Sequence, residues 1–371
     1  MDSKKIAWSR VLRLAGAITA YLIGSGYATG QEISQFFTAY GPWGIVSGLL
    51  IAIFYAIMVA IVIGYGYDHR HSPVQGAKTQ AFTYFTGKIY GTFLQWFIPF
   101  FLYLVFIAMV AGAGATIAQY FALPQWVGSS IMVLLCFIVA ILGLNKLVDL
   151  ISWVGPLAIF MTIIIALYAI ISNPSSLSEI GKNQDILAEM PRAVDNTSLW
   201  LFAGFLYMTY NYLGTVPFFV EAARFTDSKK ESILGGVIGI VFLMGAVILL
   251  VVAQLAYLPH VAGLDVPNLF LSDLIHPAAS IVLILCILGA VFSTAAPMLW
   301  TAATRIAPQG TRANKITLLV LSIIGLFAGN LPYGVLIGTI YPYTGYISMF
   351  AIALILIKFI RTRGKTQDLE E

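Results

Sequence analysis

Long apolar runs separated by short polar stretches dominate the chain. Ten of these runs predict membrane-spanning helices, near 9–39, 41–66, 90–121, 124–144, 147–171, 198–222, 232–257, 279–304, 314–330 and 334–360. Each approaches or exceeds the about 20 apolar residues that carry an α-helix across a bilayer core. The polar stretch from Asp68 to Gly87, with Arg70, Lys78 and two histidines, reads as a loop with room for a short surface helix. The longest polar interruption, Ser172 to Thr197, carries Pro174, Ser175, Ser176 and four acids. Pro267 to His276 reads as a short amphipathic piece lying at the interface. No stretch reads as a separate soluble domain, so one all-α transmembrane domain over 1–371 is expected.

The distribution of charge orients this pattern. Lys and Arg concentrate in cytoplasmic loops. With the N-terminus inside and ten crossings, 18 of the 20 basic residues fall inside, and only Lys182 and Arg192 outside. A wrong helix count would scramble that asymmetry. Both termini are therefore expected in the cytoplasm of a cell bounded by this plasma membrane. Residues Met1 to Arg13 are polar and basic, without the short apolar core of a signal peptide, so the first helix is expected to be retained.

Composition narrows the class further. Hydrophobic residues make up 60 % and charged residues 10 % of the chain, against about 25 % charged in an average soluble domain. Basic residues scattered over many loops argue against a nucleic-acid partner; the expected partners are the lipid bilayer and a small-molecule substrate. The two cysteines, Cys136 and Cys286, sit in apolar runs and read as buried small hydrophobes. His69, His71, His260 and His276 fall in loops, and no catalytic triad, phosphate loop or metal-ligand spacing is visible. An enzyme is not expected, nor an organic cofactor.

Ten helices divide into five and five, roughly 9–171 and 198–360. Two such halves must enter the membrane from opposite sides, the inverted-repeat plan of many transporters. In that plan the first and sixth segments correspond. The first carries Ile23-Gly24-Ser25-Gly26-Tyr27-Ala28-Thr29-Gly30 at its middle, and the sixth Tyr210-Asn211-Tyr212-Leu213-Gly214-Thr215-Val216-Pro217. Glycine weakens a helix by about 1 kcal/mol relative to alanine, and proline by about 3 kcal/mol. Glycines also serve close packing between membrane helices, but their pairing at matching depths predicts that both helices are broken.

A broken helix offers free amides to anions and free carbonyls to cations. The amides of Gly24, Ser25 and Gly26 are candidates for a substrate carboxylate, and the carbonyls of Ala20 and Ile23 for Na⁺. Tyr21, Tyr27, Tyr207, Tyr210 and Tyr212, with Tyr341, Tyr343 and Tyr346 of the tenth segment, cluster near the breaks as candidate pocket walls or gates; Pro342 and Gly345 suggest a bend in that last helix. Glu32 lies in the outer half of the first segment among Ile33, Phe36 and Phe37. An acid inside a span is costly and tends to be functional, which makes it a candidate proton carrier; the alternative is an acid near the outer interface, wet or bonded to Gln31 or a tyrosine. Glu221, beside Arg224, reads as a solvated helix-end acid. In the eighth segment Ala290, Ser293 and Thr294 share one helix face, as oxygen ligands for Na⁺ or as hydroxyls bonded back to their own helix.

The GSGYATGQE stretch, running on through Ile33-Ser34-Gln35-Phe36-Phe37, and the YNYLG stretch resemble the YkvI-like membrane proteins of the amino acid/polyamine/organocation transporter superfamily. The resemblance implies the LeuT-like fold, with Gly24, Ser25 and Gly26 in the unwound substrate-binding stretch and Tyr210, Asn211 and Gly214 in that of the sixth helix. It also implies a Na⁺ site made by Ala20, Ile23, Ala290, Ser293 and Thr294. Two features depart from the superfamily: many relatives have eleven or twelve helices, and Gly30 stands where some sodium-coupled members place an outer-gate arginine. The expected function is secondary transport of a small amino acid or amine, coupled to Na⁺ or to H⁺ through Glu32. The alternative is a membrane sensor or assembly partner that binds a ligand without moving it.

Overall fold

A computed structural model describes residues 6–71, 74–142 and 154–362. The first expected segment is three helices in series: α1 (Trp8–Leu22), α2 (Ser25–Thr29) and α3 (Gln31–Phe36). There follow α4 (Pro42–Asp68), α5 (Val74–Phe121), α6 (Gln125–Leu142) and α7 (Val154–Ser172). A short outer helix, α8 (Gln184–Glu189), precedes α9 (Trp200–Ala222) and α10 (Lys229–Ala256). Two short pieces, α11 (Leu258–Val261) and α12 (Pro267–Asp273), lead to α13 (Pro277–Ile306), α14 (Arg312–Ala328) and α15 (Tyr333–Thr362).

Six helices among the described residues are long and apolar enough to cross a membrane: those at 42–68, 81–121, 125–142, 229–256, 277–306 and 333–362. The other expected spans are also helical, but one is broken, the apolar stretch Leu157–Ser172 of α7 and the 17-residue α14 are shorter, and α9 is diluted by tyrosine and polar residues. The start of the fifth expected span, and Lys4, Lys5, Lys146, Arg363 and Lys365 of the charge pattern, lie outside the described residues. Large apolar side chains face outward all round, among them Leu49, Leu134, Leu285 and Phe327, which only a lipid surround accommodates at this density.

Three expectations need correction. The polar stretch after Asp68 is not mainly loop: α5 begins at Val74 and bends at Gly87, where φ is 80°. Its first limb is no surface helix, because Phe82 and Phe85 are buried and Phe85 packs on Tyr65. The 267–273 piece is likewise not interfacial; Asn268, Leu269 and Leu271 are buried. Most importantly, α9 runs unbroken through Gly214 and Pro217. Pro217 withdraws only one N–H from the ladder, the donor to the carbonyl four residues back, and side chains add bonds on the same turns: the Thr215 hydroxyl donates to Asn211 O and Tyr212 O, both at 2.9 Å, and Asn211 Nδ2 to Tyr207 O at 3.0 Å. Such local donors are how spanning helices tolerate Gly and Pro. The same tolerance leaves α15 continuous through Pro342.

The helices form two packed groups. The α1–α3 series, α4, α9 and α10 make one bundle, in which α1 packs on α10 and α9 on α4, with α4 and α10 in contact at its centre. In the second group α5 packs on α6 and α13, and α6 on α14. The α1–α10 seam depends on glycine. A side chain at Gly235 would strike Leu14, and one at Gly239 would come within 2.9 Å of the Ala15 carbonyl. These two form the small-xxx-small spacing that lets membrane helices approach closely, and Thr19 Oγ1 donates to Gly239 O at 3.0 Å across the seam. At the basic end, Arg10 holds the seam through Nε and Nη2 to buried Glu231 and Nη1 to Asp227.

Gly239→Ala is therefore expected to lower stability by about 1–3 kcal/mol through overpacking. Gly245→Ala on the same helix, where a Cβ meets nothing within 4 Å, should raise it by up to about 1 kcal/mol through helix propensity. Melting temperatures of the detergent-purified pair check the opposite signs.

Candidate functional site

The site is built where the first span breaks. α1 ends at Leu22; Ile23 and Gly24 are extended; α2 makes little more than one turn before Gly30, at φ 84°, redirects the chain into α3. Only glycine adopts that conformation without strain, and a Cβ there would also meet Asn268 Oδ1 at 2.4 Å. Backbone groups freed by the break find partners from distant elements. Gln254 Nε2 of α10 donates to Gly30 O at 3.0 Å, and Asn268 Nδ2 of α12 donates to Tyr27 O and Ala28 O at 3.3 and 3.0 Å. Thr38 Oγ1 in turn holds Gln254 Oε1 at 2.7 Å.

Glu32 is the centre of the arrangement. It is 6 % exposed and turns back over α2, so that a Cβ on Gly26 would lie 2.2 Å from Glu32 Oε2. The Tyr210 hydroxyl of α9 donates to Glu32 Oε1, and Asn211 Nδ2 lies at 3.5 Å from the same oxygen. Glu32 is therefore not wet, and the bond to a tyrosine that the alternative reading allowed is made by Tyr210. The rings of Phe36, Tyr207 and Tyr210 lie edge-on or tilted to one another, and Tyr341 of α15 stacks on Tyr210 with centroids 4.6 Å apart. Among the described residues no Lys, Arg or His forms an ion pair with Glu32.

The other expected site residues divide. Ser25 accepts from the Tyr333 hydroxyl at 3.4 Å, and Gly24 lies against Met109, so both belong to the break. Tyr27 points away, its hydroxyl accepting from Thr162 of α7 at 3.1 Å. Gly214 faces Phe101 of α5, Tyr212 donates to Met58 O of α4, and Tyr21 stacks on Phe218 while half exposed; none of the three joins the Glu32 group. Tyr343 and Tyr346 are exposed. Ser293 and Thr294 donate to Ala290 O at 2.8 and 2.9 Å, their hydroxyl protons turned to their own helix. Ile23 is buried and Ala20 partly so. Glu221 pairs with Arg224 at 3.5 Å.

A separate cavity of about 480 Å³ opens beside α3. Gln31, Ser34 and Gln35 of α3 line one side, Arg192, Asp195, Asp265 and Gly334 the other. Arg192 Nη2 donates to the Leu187 and Ala188 carbonyls. Asp265 Oδ1 accepts from Gly334 N–H at 3.3 Å; burial pushes its carboxyl above the usual aspartate range, an effect the Gly334 bond partly offsets. Asn268 and Gln254, which the sequence reading passed over, are the main additions. Their signal was present: each is a carboxamide in an apolar stretch, where an unpartnered polar group is expensive.

Comparison with known proteins agrees with this geometry. No protein-family model matches the chain. It is 25 % identical over 354 residues to the uncharacterized membrane protein YkvI of Bacillus subtilis, covering 93 % of this chain and 95 % of that one. A shorter similarity, 30 % over 172 residues and 46 % of each chain, relates it to the uncharacterized protein YyaD of the same organism. The expected likeness to YkvI-like membrane proteins thus extends over nearly the whole chain. The fold is shared with the Eremococcus coleocola manganese transporter (TM-score 0.58, 14 % identity, 97 % of this chain and 80 % of that chain) and with MhsT solved with L-phenylalanine (TM-score 0.56, 14 % identity, 96 % and 98 %). This is the LeuT-type transporter fold, and the named structures that share it are transporters rather than enzymes.

Asn268→Ala should leave Ala28 O of α2 without its donor, while Tyr27 O keeps the Gly30 N–H, and cost about 1–3 kcal/mol, read as a lower melting temperature in detergent. Gly26→Leu should displace the Glu32 carboxylate and abolish substrate binding; if this variant folded and bound substrate as the wild type does, the assignment of the site would fail.

Proposed function

We propose that the chain is a secondary transporter of a small amine-type or amino-acid solute across the plasma membrane, with both termini cytoplasmic and transport coupled to a cation. The observation that carries this reading is the Glu32 carboxylate, folded against Gly26 at the break of the first span and met by Tyr210 and Asn211 of α9. A helix broken beside a buried acid supplies both halves of a carrier: a place for a polar solute to touch backbone, and a titratable group to couple its movement to an ion gradient. The pairing of α1 with α10 and of α9 with α4 supports the inverted-repeat reading, since these contacts would exchange under a two-fold relating the halves.

Glu32 favours H⁺ as the coupling ion. Na⁺ remains the second reading, because the Ala290 carbonyl gathers the Ser293 and Thr294 hydroxyls within 2.9 Å on one turn of α13, which packs on α2. Their oxygen lone pairs stay available to a cation while their protons bond to the helix. Ala20 and Ile23 would supply the facing carbonyls.

Proteoliposomes separate the readings. With H⁺ coupling, an imposed pH gradient should move solute and Glu32→Gln, which cannot release a proton, should uncouple it. With Na⁺ coupling, a Na⁺ gradient should drive movement, and Ser293→Ala or Thr294→Ala should weaken Na⁺ dependence while leaving transport at saturating Na⁺ intact. Specific binding with no movement under either gradient would leave a membrane sensor as the function.

A further inference from the structure

The sequence alone suggests that the Gly24–Gly26 amides await a substrate carboxylate, as a zwitterionic amino acid would present. The structure places the protein's own carboxylate against Gly26. Glu32 Oε2 occupies the space above Gly26 so closely that a Cβ on that glycine would overlap it. The acid is 6 % exposed, takes its contacts from the uncharged Tyr210 and Asn211, and has no ion-pair partner among the described residues. A second carboxylate brought beside it would meet like charge in a medium that screens poorly.

What the group lacks is a cation. The ring of Tyr210, whose hydroxyl bonds the acid, packs against those of Phe36, Tyr207 and Tyr341. A carboxylate set among aromatic faces is the chemistry that recognises an organic ammonium, by ion pairing on one side and by attraction to ring faces on the other. The outer cavity agrees independently. Two acids, Asp195 and Asp265, line it against one base, Arg192, whose Nη2 is turned to the Leu187 and Ala188 carbonyls. An acid-lined cavity next to the break, sharing α3 with Glu32, concentrates cations there.

We propose that the substrate is an organic amine that carries an ammonium group and no carboxylate, and that Glu32 is its anchor. This narrows the substrate class of the transporter reading and rests on that reading's assignment of the site. Ion pairing brings the loaded site to neutrality. A bound proton does the same, so amine and proton compete for one carboxylate.

The test is equilibrium binding to purified full-length protein, by calorimetry and thermal shift. The probes are three amines and the amino acids that differ from them only by a carboxylate: methylamine and glycine, isopentylamine and leucine, phenethylamine and phenylalanine. At least one amine should bind about tenfold or more tightly than its parent amino acid. Glu32→Gln should weaken that amine by about 30-fold or more, as removal of one partner of a buried charge pair does. The wild-type ranking decides by itself if the variant does not fold. Tighter binding of the amino acids, silence from all six probes in protein that melts cooperatively, or amine binding unchanged in Glu32→Gln would each overturn the proposal. Transport assays on the same probes keep the two readings apart. Amines that bind but do not move would leave the anchor standing and remove the transporter; amino acids that move while amines do not would do the reverse.

Discussion

A peptide group inside a bilayer has no water to bond to, so every break in a helix must be answered by protein. That constraint organises this molecule. Stopping α1 at Leu22 and turning again at Gly30 strips partners from backbone groups in mid-span. The carboxamides of Gln254 and Asn268, far away in sequence, supply donors at Gly30, Tyr27 and Ala28. Gly30 O also accepts from Ser34 N–H and Tyr27 O from Gly30 N–H, so it is Ala28 O that relies on Asn268; leaving such a buried carbonyl unanswered would cost about 1–3 kcal/mol. The position of α12 follows from the same need: a seven-residue helix is drawn inside because its asparagine has carbonyls to cover.

The remaining contacts keep the broken span in place. The inner half, α1, cannot rely on α2 and α3 for support, and instead lies in the glycine seam of α10, with Arg10 bonded to Glu231 at its end. The outer half is held by the loop after α7: Ala193 N–H donates to Gln35 O at 3.0 Å, and Tyr40 exchanges hydrogen bonds with Val194. Each half is thus fixed to a different part of the protein, and the residues between them, Ile23 to Gly30, form the break at which a ligand can meet backbone.

Much of this was legible before any coordinates. Apolar run length located the spans, and the crowding of Gly24, Gly26 and Gly30 into one mid-span turn marked the break, because three weak helix formers so close together outweigh local propensity. The same reasoning failed in the sixth span. Gly214 and Pro217 weaken α9 as expected, but the cost of a few kcal/mol in propensity is smaller than that of the several bare carbonyls a break would leave in an apolar medium, whereas the continuous helix loses only the one bond Pro217 cannot donate, and Thr215 and Asn211 add side-chain bonds on the same turns. The Ser293 and Thr294 hydroxyls show a similar ambiguity: spacing places them on one face, but not whether they bond outward or to Ala290 O. Glu32 could be suspected from position, while its approach to Gly26 and Tyr210 depends on the Gly30 turn, which composition does not encode.

The absence of a basic partner for Glu32 among the described residues also bears on electrical work. Were the acid to change sides ionised and empty, one negative charge would cross the membrane field, worth about 2.3 kcal/mol for each 100 mV. A site holding a proton or a cationic guest crosses with no net charge and feels no such force. Voltage then acts as a check on idle cycling: the loaded forms move freely at any potential, and the bare form, already penalised by its burial in the apolar core, is the one the field can hold on a single side.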